Sequence, residues 1–167
     1  MRPALFAVAA VIGLMSVTAA QAREAQARPI APVPLPPVKQ EWSTQSAPGD
    51  NDIVATFKHI DGAALSVICS TDNKRLVIAF QTPQAKWTVG QGIEVVALPD
   101  SGQQVSPSYG IATAATQLVL KHDTAFDVWT MAQAKDFFKF SAGDFARVFP
   151  AANFRDAVAP VLKACGD

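Results

Sequence analysis

A cysteine stands two residues from the end of this chain, at Cys165, and the only other cysteine is Cys69. If the two are joined, nearly the whole folded body lies inside one covalent loop. Any fold must then bring the chain end onto an internal segment. Chain ends fray unless something ties them. The chain-entropy model assigns a loop of this size about 4–5 kcal/mol, an upper figure. That is a large part of a domain's net stability of ~5–15 kcal/mol. The rival reading is a reactive or redox thiol, which needs a lowered pKa and usually a CxxC or a neighbouring histidine. Neither spacing occurs here. A structural bridge between Cys69 and Cys165 is expected, given an oxidising compartment.

The first residues, MRPALFAVAAVIGLMSVTAAQA, point to such a compartment. Arg2 supplies a positive start, Ala4 to Val17 an apolar run, and Ala20-Gln21-Ala22 a small-x-small cleavage site. This is the layout of a secretory signal peptide over residues 1–22. The run is shorter than the ~20 residues that a spanning helix requires, so no membrane span is expected after cleavage. Removing the leader takes one basic residue from a balance of 14 Lys+Arg against 14 Asp+Glu. The remaining charges are scattered. No basic stripe suggests nucleic acid and no polybasic cluster suggests an anionic membrane. A periplasmic or secreted bacterial protein is expected.

Residues 23–41 read REAQARPIAPVPLPPVKQE, with Pro29, Pro32, Pro34, Pro36 and Pro37 crowded together. Proline removes backbone donors and fixes φ, so this stretch reads as an extended linker. A spacer is favoured over a docking peptide for a proline-binding groove. A single β-rich domain is expected from Trp42 to Asp167.

Within that domain, Gly, Pro, Asp and Asn turn signals separate short runs rich in Val, Ile and Leu. The candidate strands are 53–59, 64–70, 75–81, 92–98 and 111–120. The last third changes character. Residues 125–135 fit a helix, with Phe126, Val128, Trp129 and Met131-Ala132 as its apolar stripe and Asp123 or Thr124 as its cap. The stretch from Asp136 to Phe149 alternates about Ala142-Gly143-Asp144 and reads as a β-hairpin. Phe154, Ala157, Val158, Val161, Leu162 and Cys165 then fall on one face of a closing helix. Asn153 would cap that helix, and Pro160 would kink it. The expected fold is β-rich α+β: an antiparallel sheet or sandwich, a mid-chain helix, a late hairpin and a C-terminal helix clasped by a disulfide.

Trp42 opening the domain, Leu65 and Cys69 in an early strand, and Phe154, Ala157, Leu162 and Cys165 at its close carry a resemblance. The pattern resembles the VasI-like proteins associated with type VI secretion, and more distantly the invasion-associated locus B proteins. The latter group tends to carry a further early cysteine that is missing here. The resemblance implies a signal-bearing, cysteine-bridged, β-rich protein of the cell envelope. It carries over no catalytic residue.

Searching for chemistry yields little. His59 and His122 are the only histidines, without HxH or HExxH spacing, so no metal and no cofactor are expected. Asp50-Asn51-Asp52 lacks an EF-hand continuation and reads as a turn. Lys121-His122-Asp123 sets a base beside a carboxylate, but there is no GxSxG elbow and no SxxK. A non-enzymatic module is therefore preferred. The alternatives are a small envelope hydrolase using His122, or a structural accessory of a secretion assembly.

Seven of the ten phenylalanines fall within 126–154. Most of such a cluster belongs to a core. Alternation in the hairpin leaves a second reading, in which Phe137, or Phe145 and Phe149, flank Arg147 on an outer face. Phe137, Phe145, Arg147 and Phe149 are the candidate contact residues for an envelope protein or wall component.

Overall fold

The computed structural model describes residues 40–46, 51–102, 107–121 and 124–166. The leader, the proline-rich segment through residue 39, Asp50, His122 and Asp123 lie outside the described residues.

Alternating apolar residues make strands wherever turn residues release the chain, and the expected runs become β2 (Ile53–Lys58), β3 (Ala64–Ser70), β4 (Arg75–Gln81) and β5 (Gly92–Pro99). The run expected as one strand over 111–120 is two, β6 (Ser108–Ala114) and β7 (Gln117–Leu120). Ala115 and Thr116 turn the chain between them without glycine or proline. Their carbonyls are held from outside, by the N–H of Trp87 at 2.8 Å and of Thr82 at 2.9 Å. The late hairpin is β8 (Phe137–Ala142) and β9 (Phe145–Pro150). A short polar strand, β1 (Ser43–Ser46), opens the domain.

Among the described residues, the nine strands form one antiparallel sheet in the order β1-β2-β3-β4-β7-β6-β5-β8-β9. One face of each long strand is buried and the other is not, the signature of a sheet covered on one side. The sheet curls until its two ends meet. The Trp42 indole N–H donates to the Pro150 carbonyl at 2.8 Å, His59 Nε2 meets the Val148 carbonyl at 2.9 Å, and Phe149 packs on Phe57. Side chains, not strand pairing, therefore cover the free edge of β9, which limits edge-to-edge association. At Gly110 in β6 an added Cβ would stand 2.6 Å from Leu118 Cδ1, so a larger residue would push the buried Leu118 side chain aside.

Helix α1 (Thr124–Ala132) is shorter than expected, and its face is rotated. Thr124, Asp127, Val128 and Met131 are buried, while Phe126 and Trp129 point outward. Polar anchors decide this. Both carboxylate oxygens of Asp127 accept from the Ser108 hydroxyl, at 2.8 and 2.9 Å. The Thr124 hydroxyl donates to the Leu76 carbonyl at 3.0 Å instead of capping its own helix.

Helix α2 (Phe154–Cys165) buries the expected face through Phe154, Ala157, Val158 and Val161, and runs on through Pro160. Asn153 precedes it in the left-handed region, φ 60°, and its side chain makes no capping bond. Asparagine tolerates that conformation, so its contribution is to backbone geometry. At the far end Gly166, φ 91°, donates its N–H to Leu162 O and Lys163 O, a glycine stop. Cys165 joins Cys69 with Cα atoms 5.6 Å apart. Trp42 sits between sheet and helix, with Phe57, Phe138, Phe149 and Phe154 at ring separations of 4.7–6.2 Å.

Candidate functional site

The β8–β9 register settles which way the hairpin's aromatics face. Phe138 lies opposite Phe149, Phe140 opposite Arg147 and Ala142 opposite Phe145, and this is the inner side. The outer-face reading of Phe145 and Phe149 is therefore corrected: Phe149 is fully buried against Phe57 and Phe138. Phe145 is half-buried, edge-on to Trp87 at 5.7 Å. Phe137 alone of the three takes the outer side, where it is 46% exposed.

Arg147 shares the inner side but reaches the rim where the curled sheet closes. Its Nε donates to Asp61 Oδ2 at 3.1 Å, its Nη2 to Gln84 Oε1 at 3.1 Å, and its Nη1 to the Ala146 carbonyl at 2.8 Å. Asp61 belongs to the β2–β3 turn and Gln84 to the β4–β5 loop, so Arg147 ties three separate segments. The Ala63 backbone N–H, with the Arg147 guanidinium adding to it, holds the Asp61 carboxyl below its usual range against the opposing pull of desolvation.

Beside this tie opens a cleft of about 460 Å³, between the β4–β5 loop and the Gly143-Asp144 turn of the hairpin. Trp87, Phe145 and Ile93 give it apolar walls, and Lys86, Glu94 and Asp144 are charged lining residues. The loop that carries Trp87 is pinned by its own backbone. Ala85 N–H donates to Thr82 O, Gln91 N–H to Thr88 O and Gly90 N–H to Ala112 O, while Ala112 N–H returns to Gln91 O. Gly143, φ 55°, allows the tight hairpin turn, and its N–H donates to the Glu94 carbonyl at 3.0 Å. The cleft is thus built on a fixed frame. Sequence reasoning passed over it. The available signal was a tryptophan among Gln and Lys in a glycine-bearing loop, and loops on rigid scaffolds are where binding residues concentrate.

Two other features stand out. Phe126 and Trp129, 47% and 52% exposed, lie ring to ring on the outside of α1. A second depression runs between the end of α1 and the start of α2, past Lys135, Asn153 and Arg155. Next to it, the Asp100 carboxylate accepts from the backbone N–H groups of Lys135, Asp136 and Phe137, which hold its carboxyl below the usual range.

His59, the one histidine among the described residues, is held between Phe57 and Phe149 at ring distances of 5.1 and 5.0 Å. Among the described residues no group of three or more His, Cys, Asp or Glu gathers in a way that would hold a metal ion. Compared with known proteins, the chain matches no family model, no curated protein and no solved structure.

Proposed function

We propose that this chain is a non-enzymatic module exported to the bacterial cell envelope, periplasmic or secreted, where it binds a protein partner or a wall component. The observation that carries this reading is the Trp87 cleft, a rigidly framed recess whose charged rim groups, Lys86, Glu94 and Asp144, have no side-chain partner among the described residues. These three residues are exposed and covered by solvent, and beside an aromatic recess a ligand can take the solvent's place. The Cys69–Cys165 bridge fits an oxidising compartment, and no helix among the described residues is long and apolar enough to cross a membrane. The leader and the resemblance to VasI-like proteins point the same way.

The test is made in the envelope itself. A photo-crosslinking residue replaces Asp144 at the cleft or Lys163 on the exposed side of α2, and purified protein is sedimented with isolated wall sacculi. The expected result is an adduct or sedimentation that depends on the cleft, with none from position 163. Neither adduct nor sedimentation, or equal capture from both positions, would contradict the proposal.

A further inference from the structure

The Trp87 cleft also carries information about what it binds. Trp87 is only 9% exposed, yet its indole N–H has no acceptor among the described residues. The nitrogen is not sealed off, because among the described residues the side-chain groups both sealed and unpartnered are the hydroxyls of Thr71 and Thr130. A nearly buried indole usually finds an acceptor. Here the N–H is left to solvent, and a ligand acceptor can take the water's place.

The neighbouring groups divide into donors and acceptors. Gln84 Oε1 is already taken by Thr82 and Arg147, and Gln91 Oε1 by the Thr88 N–H, so both amides have their NH2 groups left to give. Lys86 adds an ammonium. Glu94 and Asp144 are acceptors, each without a hydrogen bond or ion pair to its side chain among the described residues.

This set selects by elimination. A phosphate or carboxylate would meet two carboxylates against one ammonium. A wholly apolar ligand would strand every polar group on the rim. A peptide adding as a strand needs free main-chain groups, and those of Gly90, Gln91, Ala112 and Gly143 already bond within the fold. A saccharide satisfies the remainder, since each hydroxyl both donates and accepts and the ring's C–H face can cover an aromatic edge. The volume of about 460 Å³ suits a small ligand or the end of a chain.

We infer that the cleft is a saccharide-binding site for an uncharged or amino-bearing oligosaccharide. In it, the Trp87 N–H donates to a sugar oxygen, and Glu94 and Asp144 accept from hydroxyl or ammonium groups. The inference rests on the reading of the chain as an envelope-binding module and names the ligand class of the same cleft.

The three tryptophans, Trp42, Trp87 and Trp129, each give one indole signal in a nitrogen–proton correlation spectrum of the protein. The probe is the tetramer of N-acetylglucosamine, with inorganic phosphate as the anionic comparison. Expected is a saturable displacement of the Trp87 signal at micromolar to millimolar sugar, with Trp42 and Trp129 unmoved. Trp87→Phe should weaken binding about tenfold, measured by calorimetry. Gly92→Tyr provides a second variant, because Gly92 lines the cleft and a Cβ there meets no atom within 4 Å, so a side chain can be added at the cleft wall. It should abolish the response and leave the spectrum folded. A still Trp87 signal, a response to phosphate alone, movement of Trp129 instead, or binding that survives Gly92→Tyr would each overturn the inference. Cleft-dependent sedimentation with wall sacculi alongside a still Trp87 signal would remove the sugar site and leave the envelope module standing. Failure of both would remove both.

Discussion

The β8–β9 hairpin and the Trp87 cleft lie side by side and share Phe145, but they differ in what their polar groups are doing. In the hairpin, aromatic density is high and its inward polar side chain is engaged: Arg147 reaches Asp61, Gln84 and a backbone carbonyl. In the cleft, aromatic density is low, and an indole N–H, an ammonium and two carboxylates have no partner among the described residues. Aromatic residues crowd together mainly because cores need them. Free hydrogen-bonding capacity on a rigid frame is the better marker of a binding surface.

The comparison breaks most visibly if hairpin residues tolerate truncation. Phe149→Ala removes a fully buried ring and should cost about 3–5 kcal/mol by urea unfolding. A loss below ~1 kcal/mol would return Phe149 to the list of surface residues. Cys165→Ser opens the loop that pins α2 and should cost about 2–5 kcal/mol, with helix signal lost first near the C-terminus in hydrogen exchange. Arg147→Ala is milder. Its ion pair with Asp61 is partly exposed, at 27% and 38% for the two side chains, so solvent screens it and about 1 kcal/mol is expected. Unchanged stability together with lost ligand binding would instead make Arg147 part of the recognition surface.

Acid sharpens the same contrast. Asp61 and Asp100 have carboxyls held below their usual range by backbone N–H groups. Their stabilising effect is therefore complete above the unfolded-state pKa and fades as pH falls through the lowered folded-state values. Asp100→Asn should lower the melting temperature at neutral pH, where the carboxylate's effect is complete, and flatten the acid-side fall of stability so that variant and parent converge at low pH. The smallest stability effects belong to the cleft. Lys86→Ala and Asp144→Asn should each stay within about 0.5 kcal/mol of the parent. If either lowers stability as much as Arg147→Ala, the cleft is part of the structural tie.

Much of the fold was legible because its determinants are local. Alternation in 64–70 and 75–81 marks strands, and the spacing from Phe154 to Cys165 marks one helical face. Elements decided by distant partners were not legible. β1 is an exposed Ser-Thr-Gln-Ser stretch that becomes a strand through pairing with β2 and the burial of Trp42 just before it. The turn at Ala115-Thr116 depends on N–H groups of another loop. α1 buries Asp127 in place of Phe126 because Ser108, nineteen residues earlier, receives the carboxylate. The hairpin could be read as two faces, but not which one turns inward, since Arg147 on the Phe145–Phe149 side looks like a solvent residue until Asp61 and Gln84 come into view. The cleft assembles residues 84–94 with residues 143–145, and only the curled sheet brings those stretches together.

The central claim is that the binding surface is the cleft and not the aromatic hairpin or the outer side of α1. Hydrogen exchange of the protein, with and without solubilised wall glycan strands, tests it most directly. Added protection confined to residues 84–94 and 142–146 is the predicted footprint. Protection centred on 124–132 or 137–141, or no footprint on any segment, would contradict the account.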